Sequence, residues 1–493
     1  RKVLYEKIYD KTIIANNKPK KIYKKDTEGK YERDISKDRI YNLDNCILIC
    51  DEAHNLTGSN KPYNWYGESV KYIKKKSKNL RIILLSATPM KNLALDILPL
   101  INLLRPINDP ILKDKIFTNT DRNYEIQFKE GGKEYFKKMC KGYISYLRGD
   151  DPTTMAIRNE KGTVPKNLIF TKLIQCKMHP FQETAYLKTV AYAKEKKIDA
   201  LDRKSEAVAN MAIPSLSSNK KDIGFLSGRE GINKIKNQIR DDYDILNKLI
   251  GKKFKIKNSS HLLKLSDNSK NISGDILKFD NLQIFSTKFY EVLKNVNQLF
   301  HNKKGTRTAF IYSNLVKVGI ELFSEILLVN GYLEFQEDIK KYNITNDTID
   351  YKYGIKYKDY IKKYSKESFY PATFILVTGK SSDDILDMQQ EDKLQVIINT
   401  FNNLNNKNGK YIKLVLGSRV MNEGISLTNI KEVHLLDVYF NLNRTDQVIG
   451  RAIRNCSHFN LMDKNNVFPK VDVYKYAVTL NNKNMSSEEI MYK

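Results

Sequence analysis

The feature that most constrains the fold is a set of short, continuous apolar runs separated by helical or polar stretches. NCILIC at 45–50 and RIILL at 81–85 flank a basic stretch with helical spacing. In the carboxyl-terminal part, further runs alternate with helical patterns at 308–314, 372–379, 412–418 and 432–437. Continuous apolar strands are typical of parallel sheets that are buried on both faces, and their alternation with helices indicates βαβ units. We therefore predict an α/β fold with two parallel-sheet domains.

The chain changes character twice along its length. After the second run, leucine and isoleucine at helical spacing predict a helix that ends at Pro106 and Pro110. Lysine-rich helical patterns then replace the continuous apolar runs until the alternation of strands and helices returns. We predict a first sheet domain over 1–111, a largely helical insertion over 112–295 and a second sheet domain over 296–493.

Composition narrows the class of protein. The 493 residues carry 85 lysines and arginines against 57 acidic residues, a formal net charge of +28. This excess favours a polyanionic partner, because contacts to phosphate dominate nucleic-acid affinity, but lysine-rich composition also follows from A/T-rich codons. No apolar run reaches the roughly 20 residues of a membrane-spanning helix. Five cysteines without a CxxC pair indicate reduced thiols in an intracellular compartment rather than a zinc site or a disulfide framework.

Two adjacent acids follow the first apolar run, in the stretch NCILICDEAHN. In an open parallel sheet, ligands bind beyond the carboxyl ends of the strands, where Asp51 and Glu52 are expected to lie. One carboxylate there can hold a magnesium ion through water, while its neighbour orients and deprotonates an attacking water. We assign Asp51 to the metal and Glu52 to the base, although an isolated acidic pair at a strand end is more often a helix cap or a solvated loop.

The second apolar run ends in two hydroxyl side chains, Ser86 and Thr88, which stand on either side of Ala87. Serine and threonine before a proline can cap the helix that follows. Alternatively, the hydroxyls hydrogen-bond the Asp-Glu-Ala-His tetrad on the neighbouring strand and link the state of a bound nucleotide to domain movement. The sequence is compatible with both interpretations.

The second predicted domain contains the pattern Q-x-x-G-R-x-x-R, formed by Gln447, Gly450, Arg451 and Arg454. A helix would place the glutamine and both arginines on one face, at i, i+4 and i+7. Arginine directed across a cleft stabilises charge on a transferred phosphoryl group. A surface salt-bridge face is the alternative, but it does not explain Gly450, where a small residue permits close backbone approach.

A glycine-containing stretch, NEGISL, precedes this pattern. Asn422, Glu423 and Gly424 are candidates to contact nucleic acid or ATP. A plain glycine turn after a strand explains them nearly as well.

Five strings, in the order DEAH, SAT, FIYSN, NEGISL and QVIGRAIR, make the chain resemble the superfamily 2 helicases and translocases. KGYISYLRGDDP at 141–152, MKNLALDILPLINLLRP at 90–106 and GRAIRNCSH at 450–458 are similar to strings of the poxvirus-like group of large DNA viruses. That group includes the early transcription factor small subunit and nucleoside triphosphate phosphohydrolase I. The resemblance covers nearly the whole chain.

The resemblance implies two RecA-like lobes with the helical insertion beside them, and ATP and Mg²⁺ as cofactors. Nucleic acid, DNA rather than RNA, is expected across both lobes, held by its phosphates. The implied setting is viral transcription, in the virion or the host cytoplasm, with a viral RNA polymerase or a transcription factor subunit as partner.

The resemblance also implies a role for each motif residue. Asp51 and Glu52 are expected to serve the magnesium ion and the attacking water, and Gln447, Arg451 and Arg454 to complete the ATP site from the second lobe. The remaining residues expected at the nucleotide are His54, Ser86, Thr88, Glu423, Gly424 and Gly450.

One departure from the family pattern concerns the phosphate-binding loop. G-x-x-x-x-G-K-[ST] is expected roughly a hundred residues before the acids, because its backbone amides and lysine cradle the phosphates. Only 50 residues precede Asp51, and VTGKSS at 377–382 has Phe374 where the first glycine is required, so we interpret it as a simple turn. We expect the chain to be the carboxyl-terminal part of a longer ATPase, truncated within its first lobe. The alternative is a non-catalytic module that binds nucleic acid or a polymerase.

Overall fold

Parallel strand pairing organises both parts of the chain. The structure is a computed structural model, and it describes residues 43–56, 65–87, 89–90, 94–118, 127–146, 154–195, 203–257, 261–301, 306–378, 390–418, 421, 425–438, 442–461, 469–482 and 484–492. The chain divides into two units, Arg1–Gly149 and Asp150–Lys493. This division has one boundary, whereas the sequence predicts boundaries near 111 and 295, and that three-part division stays a prediction.

The amino-terminal unit contains the predicted βαβ arrangement. Strands β1 (Ile47–Cys50) and β2 (Arg81–Leu84) pair in parallel, with Cys50 opposite Leu84. Helix α1 (Trp65–Lys76) connects them. Because the strands run in parallel and in register, the residues that follow each strand emerge at the same edge of the sheet.

The two faces of this small sheet differ in burial. On one face, half-buried side chains of β1 and β2 pack against Val70 of α1 and Leu100 of helix α2 (Ile97–Leu104). On the other face, Ile47 and Ile49 are each 60% exposed and Ile83 is 44% exposed. The prediction of strands buried on both faces was therefore wrong for the described residues, in which α1 and α2 pack on one face only.

A second, smaller core in this unit joins α2 to helix α3 (Gly132–Cys140) through Ile101, Ile116 and Phe117. Arg105 is buried beside it, and its guanidinium donates hydrogen bonds to the Asp109 carbonyl at 2.8 Å and the Met139 carbonyl at 2.6 Å. One acceptor follows α2 and the other lies in α3, so these bonds connect the end of α2 to α3.

The carboxyl-terminal unit is built on a parallel sheet of eight strands. The strands are β3 (Ile157–Glu160), β4 (Ile174–Lys177), β9 (Ala309–Tyr312), β10 (Leu333–Glu334), β11 (Thr373–Val377), β12 (Leu414–Gly417), β13 (Glu432–Leu435) and β14 (Lys470–Thr479). Seven of them lie in the order β10-β11-β12-β9-β13-β14-β3, and β4 also pairs with β14. The four strands that the sequence placed in this domain, β9 and β11 to β13, are confirmed.

The faces of this sheet are both covered, as continuous apolar runs require. Ile311 and Leu416 belong to a core that includes helices α9 (Thr287–Asn297) and α10 (Glu321–Val329). Phe310 and Val415, one position earlier on the same strands, belong to a second core that includes helix α13 (Leu442–Ala452). Alternate residues of one strand thus serve opposite cores.

The region between 154 and 300 is largely helical, as predicted, and it also contributes strands. β3 and β4 pair with β14, at Lys470 to Val473 and Tyr476 to Thr479 respectively, although about 300 residues separate them in sequence. Two short antiparallel hairpins, β5 (Ile213–Leu216) with β6 (Ile223–Leu226) and β7 (Lys264–Leu265) with β8 (Ile272–Ser273), interrupt the helices. The other helices of this unit are α4 (Pro180–Glu195), α5 (Arg203–Asn210), α6 (Gly228–Asp241), α7 (Tyr243–Phe254), α8 (Phe279–Phe285), α11 (Tyr357–Tyr360), α12 (Gln390–Val396) and α14 (Ser487–Met491). None of the helices in the described ranges is both long enough and apolar enough to span a membrane.

A buried ion pair ties three of these elements together. Lys288 of α9 lies 2.5 Å from a carboxylate oxygen of Glu488 in α14, with side chains 0% and 3% exposed. The second Glu488 oxygen accepts a hydrogen bond from the Val478 amide of β14 at 2.8 Å, and the lysine also donates to Asn210 at 3.1 Å. The pair therefore links the helical region to the last strand of the sheet.

Candidate functional site

The paired acids lie at the carboxyl end of β1, where the sequence predicts them. Asp51 is exposed, and one of its oxygens accepts a hydrogen bond from the Glu52 amide at 2.8 Å. Glu52 adopts a left-handed backbone conformation, with φ of 49°. A non-glycine residue in that region carries a conformational cost, which is typical of positions that the surrounding structure holds for a function.

His54 connects the acids to the neighbouring strand. It lies in the short helical turn Ala53–Leu56, which is joined to the end of β2 by a hydrogen bond of 2.9 Å from the Ala53 amide to the Leu85 carbonyl. Its Nδ1 atom lies 3.3 Å from a carboxylate oxygen of Glu52 and 3.0 Å from the Ser86 hydroxyl. The structure therefore brings Ser86 into contact with the tetrad, as one of the two sequence interpretations requires. The roles of these residues stay predictions.

Three of the predicted site residues, Thr88, Glu423 and Gly424, lie outside the described residues, as does Asn422. Most of VTGKSS, from Gly379 onward, also lies outside them. Within the described ranges, no group of three or more His, Cys, Asp or Glu side chains is arranged to hold a metal ion.

In the carboxyl-terminal unit, Gln447 and Arg451 lie on α13, but Arg454 does not. The helix ends at Ala452, and the Arg454 amide donates to the Ser457 hydroxyl at 3.1 Å instead of continuing the helical bonding. The expectation of one helical face for all three residues was therefore wrong at its last position.

Both arginines nevertheless reach the same stretch of backbone. Arg451 donates from Nη1 to the Ile425 carbonyl at 3.3 Å, and Arg454 donates from Nη1 to the Ser426 hydroxyl at 2.5 Å. Ile425 and Ser426 directly follow the glycine of NEGISL. The two motifs thus meet in space, and Ser426 is a contributor that the sequence pattern did not single out.

The chain after α13 is held by a buried histidine. His458 is 2% exposed, and its Nε2 atom lies 2.8 Å from the Ile430 carbonyl. Burial lowers the pKa of His458, because the charged ring would lose its hydration. The neutral ring donates to the carbonyl and fixes the segment that carries Arg454.

Gly450 is not required by packing among the described residues. An added Cβ atom there would meet no described heavy atom within 4 Å, and the residue is half-buried. The sequence prediction of a close backbone approach therefore stays a prediction.

A buried carboxylate, Asp437, organises the carboxyl ends of β9 and β13. It accepts hydrogen bonds from the Ser313 hydroxyl at 3.0 Å, from the Leu315 amide at 3.3 Å and from the Asn314 amide. Burial raises its pKa, and the charge of Lys288 together with these bonds opposes the rise. The signal was present in the sequence, since FIYSN and EVHLLD both place polar residues after an apolar run, but the strand adjacency that joins them was not readable.

Comparisons with known proteins place this geometry in a family. Residues 22–223 match the SNF2-related domain, and residues 355–456 match the helicase conserved C-terminal domain. The chain is 49% identical over 505 residues to "Putative ATP-dependent RNA helicase L377" of Acanthamoeba polyphaga mimivirus, with 100% of this chain and 43% of that protein covered. It is 24% identical over 440 residues to the "Early transcription factor 70 kDa subunit" of Yaba monkey tumor virus, with 89% and 56% covered.

Among solved structures, the C-terminal part of the Fun30 ATPase domain is similar over 69% of this chain and 89% of that chain, with 13% identity and a TM-score of 0.33. The chain spans 43% of the length of the mimivirus relative and 56% of the poxvirus relative. With an SNF2-related domain followed by a helicase C-terminal domain, and with these viral relatives, the chain belongs to the superfamily 2 helicases, near the poxvirus-like group of large DNA viruses.

Proposed function

We propose that the chain supplies catalytic residues to a viral nucleic-acid-dependent ATPase of the helicase or translocase type. The observation that carries the proposal is the contact series Glu52–His54–Ser86, with a histidine 3.3 Å from the candidate base and 3.0 Å from the serine after the neighbouring strand. A change in the charge or hydrogen bonding of Glu52 during hydrolysis then alters the contact of His54 with Ser86, in the segment after β2. This contact series therefore couples ATP hydrolysis to movement of that segment.

Asp51 suits the proposed magnesium ion. Mg²⁺ in ATPases keeps several waters and is commonly held by one or two carboxylates together with substrate phosphates, so the exposed carboxylate of Asp51 at a strand end fits it. When bound, the ion neutralises charge on the phosphates. Asp51 would hold that ion, and Glu52 would orient and deprotonate the water.

Arg451 and Arg454 are proposed to stabilise the charge that develops on the transferred phosphoryl group. Support comes from their shared anchorage on Ile425 and Ser426, which fixes two guanidinium groups in one neighbourhood. A fixed cation contributes more to a transition state than a mobile one, because little reorganisation remains to be done.

The proposed ligand is nucleic acid. The net charge of +28 supports it, as do relatives whose names describe an RNA helicase and an early transcription factor. We propose DNA as the preferred form and viral transcription as the setting, with a viral RNA polymerase or a transcription factor subunit as partner. The proposed location is the virion or the host cytoplasm.

The test is ATP hydrolysis by the product of the complete reading frame, with double-stranded DNA, single-stranded DNA and RNA compared side by side. Glu52→Gln is expected to abolish nucleic-acid-stimulated phosphate release and to leave nucleotide binding intact, because the amide cannot take the proton from water. Glu134→Gln, on the exposed surface of α3, is the matched control and should hydrolyse ATP at the wild-type rate.

Unchanged turnover in Glu52→Gln refutes the assignment of the base. If the wild-type protein binds nucleic acid but neither binds nor hydrolyses ATP, the non-catalytic binding module is the correct function.

A further inference from the structure

The segment between β10 and β11 carries a cluster of tyrosines and lysines that none of the motifs includes. Between 352 and 366 it contains six lysines and a single aspartate, together with four tyrosines. Asp359, the aspartate, pairs with Lys362 at 2.9 Å. The segment is therefore locally basic and aromatic within a chain that is basic overall.

This segment is ordered by its own interior. Asp350 is 1% exposed and accepts hydrogen bonds from the amides of Lys352, Tyr353 and Ile355 at 2.8, 2.8 and 3.0 Å. Gly354 has φ of 68°, and an added Cβ there would lie 2.6 Å from the Phe300 ring, so the turn requires glycine. These contacts fix the backbone from which the exposed side chains project.

The buried aromatic rings complete this support. Phe369 packs edge-on against Tyr357 and Tyr360, with ring centroids 4.9 and 5.2 Å apart. Tyr360 in turn contacts Tyr364 at 4.9 Å. Tyr364, which lies on the outside, therefore packs against an ordered aromatic cluster.

On the outside, two tyrosine rings lie nearly parallel. The rings of Tyr353 and Tyr364 are 5.0 Å apart with an interplanar angle of 7°, and the two residues are 37% and 41% exposed. The Lys352 ammonium lies over the Tyr353 ring, 4.8 Å from its centroid. Lys362 and Lys363, next to Tyr364 in the chain, are exposed as well. We define the tyrosine–lysine surface as Lys352, Tyr353, Lys362, Lys363 and Tyr364.

The surface lies at a different place in the unit from the Asp437 cluster. It is attached at the amino ends of the strands, where Arg307, just before β9, donates to the Lys352 carbonyl at 3.1 Å. Tyr370, just before β11, contacts Tyr411, just before β12, at 5.9 Å. Ser313 and Asp437 follow the carboxyl ends of β9 and β13, at the opposite edge of the sheet.

We propose that the tyrosine–lysine surface is a second contact for nucleic acid, and that it takes a single strand. Lysines neutralise backbone phosphates, and the stacked pair of Tyr353 and Tyr364 offers a base an aromatic face on which it can stack irrespective of sequence. The Lys352 ammonium occupies the position over Tyr353 that a base would take, and its flexible stem lets it move to a phosphate. An acidic peptide would use the lysines but gains nothing from a stacked pair of rings. The inference rests on the proposed function only for the choice of ligand and does not require ATP hydrolysis.

The test is fluorescence anisotropy with a labelled 20-nucleotide oligothymidine and a labelled 20-nucleotide oligouridine, using the full chain without ATP. Tyr353→Ala with Tyr364→Ala is expected to weaken binding on the order of tenfold or more, because each stacked base is lost. Tyr353→Phe with Tyr364→Phe should bind like the wild type, since the rings remain. Tyr192→Ala, at a 51% exposed tyrosine on α4, is the matched control and should have no effect.

The lysines are tested by salt dependence. Lys362→Gln with Lys363→Gln should reduce the slope of log affinity against log salt by about 1.4, or about 0.7 for each phosphate contact on a single strand. Wild-type affinity in the Tyr→Ala variant, or equal loss in the Phe and Ala variants, overturns the proposal. Displacement of the oligonucleotide by polyglutamate, with no effect of the tyrosine changes, would assign the surface to an acidic protein instead. Thermal unfolding of each variant checks that the unit is folded, and ATPase activity, measured separately, reports on the proposed function alone.

Discussion

Breaking the buried ion pair between Lys288 and Glu488 is expected to destabilise the carboxyl-terminal unit strongly. In Lys288→Met the apolar stem is replaced by one of similar size, but the Glu488 carboxylate loses its cation while it remains 3% exposed. The Val478 amide, at 2.8 Å, is then the donor that still compensates it. Removal of one partner of such a pair costs about 3–5 kcal/mol, because a charge is left buried without compensation.

The size of the effect depends on pH in a defined direction. Burial already raises the pKa of Glu488, and Lys288 opposes the rise. Without the lysine the pKa rises further above its unfolded value, so folding favours the protonated acid. The variant should therefore be closest to wild-type stability below the unfolded pKa of the acid and should lose stability as the pH rises through the folded pKa.

Hydrogen–deuterium exchange of peptides from α9, β14 and α14 measures this directly. At neutral pH, a loss of 3–5 kcal/mol corresponds to exchange faster by roughly 10²- to 10⁴-fold wherever exchange requires opening of the pair. Lys294→Met is the matched control on the same helix, because its pair with Glu291 is 49% and 25% exposed and should contribute less than about 1 kcal/mol. Lys288→Met with Glu488→Gln should recover most of the loss. Equal exchange in Lys288→Met and Lys294→Met would refute the reasoning.

Three further predictions concern single side chains. Arg454→Ala should slow ATP hydrolysis on the order of 10³-fold without weakening nucleotide binding. A wild-type rate would show that Arg454 does not act at the γ-phosphate. Asp437→Ala should cost several kcal/mol in urea unfolding, because two part-buried amides lose an acceptor, whereas Asp437→Asn should cost less. Burial raises the pKa of Glu325 to about 7 from 4.5. The stability of the wild type is therefore lost between these two pH values as the pH rises. Glu325→Gln should raise the unfolding temperature at pH 8 but not at pH 4. An equal gain at both pH values would contradict the raised pKa of Glu325.

Local sequence patterns were sufficient to predict the strands and the positions of the acids. Apolar runs of four to six residues, bounded by polar residues, can be read without knowledge of their partners, and β1, β2, β9 and β11 to β13 lie where they were expected. The contact of Ser86 with His54 followed from the parallel pairing of two neighbouring strands.

What the sequence did not reveal depends on long-range pairing. The short strands β3 and β4 have mixed polarity, as in IRNE and IQCK, and their partner is about 300 residues away, so no local pattern marks them. The role of Asp437 likewise depends on the adjacency of β9 and β13, which three α-helices and three strands separate along the chain. The end of α13 at Ala452 was missed because the Ser457 hydroxyl competes for the Arg454 amide.

The placement of β14 has a consequence for biosynthesis. Its partners β3 and β4 emerge from the ribosome some 300 residues before it, and its other neighbour, β13, also precedes it. Until residues 470–479 are translated, these three strands each lack β14 as a pairing partner. The apolar surface that β14 later covers is therefore exposed to other nascent chains. At about 5–20 residues per second, that interval lasts roughly 15 to 60 seconds for the earliest strands. The unit therefore completes its sheet only after nearly all of it has been synthesised, and the chain is expected to depend on chaperones during that interval.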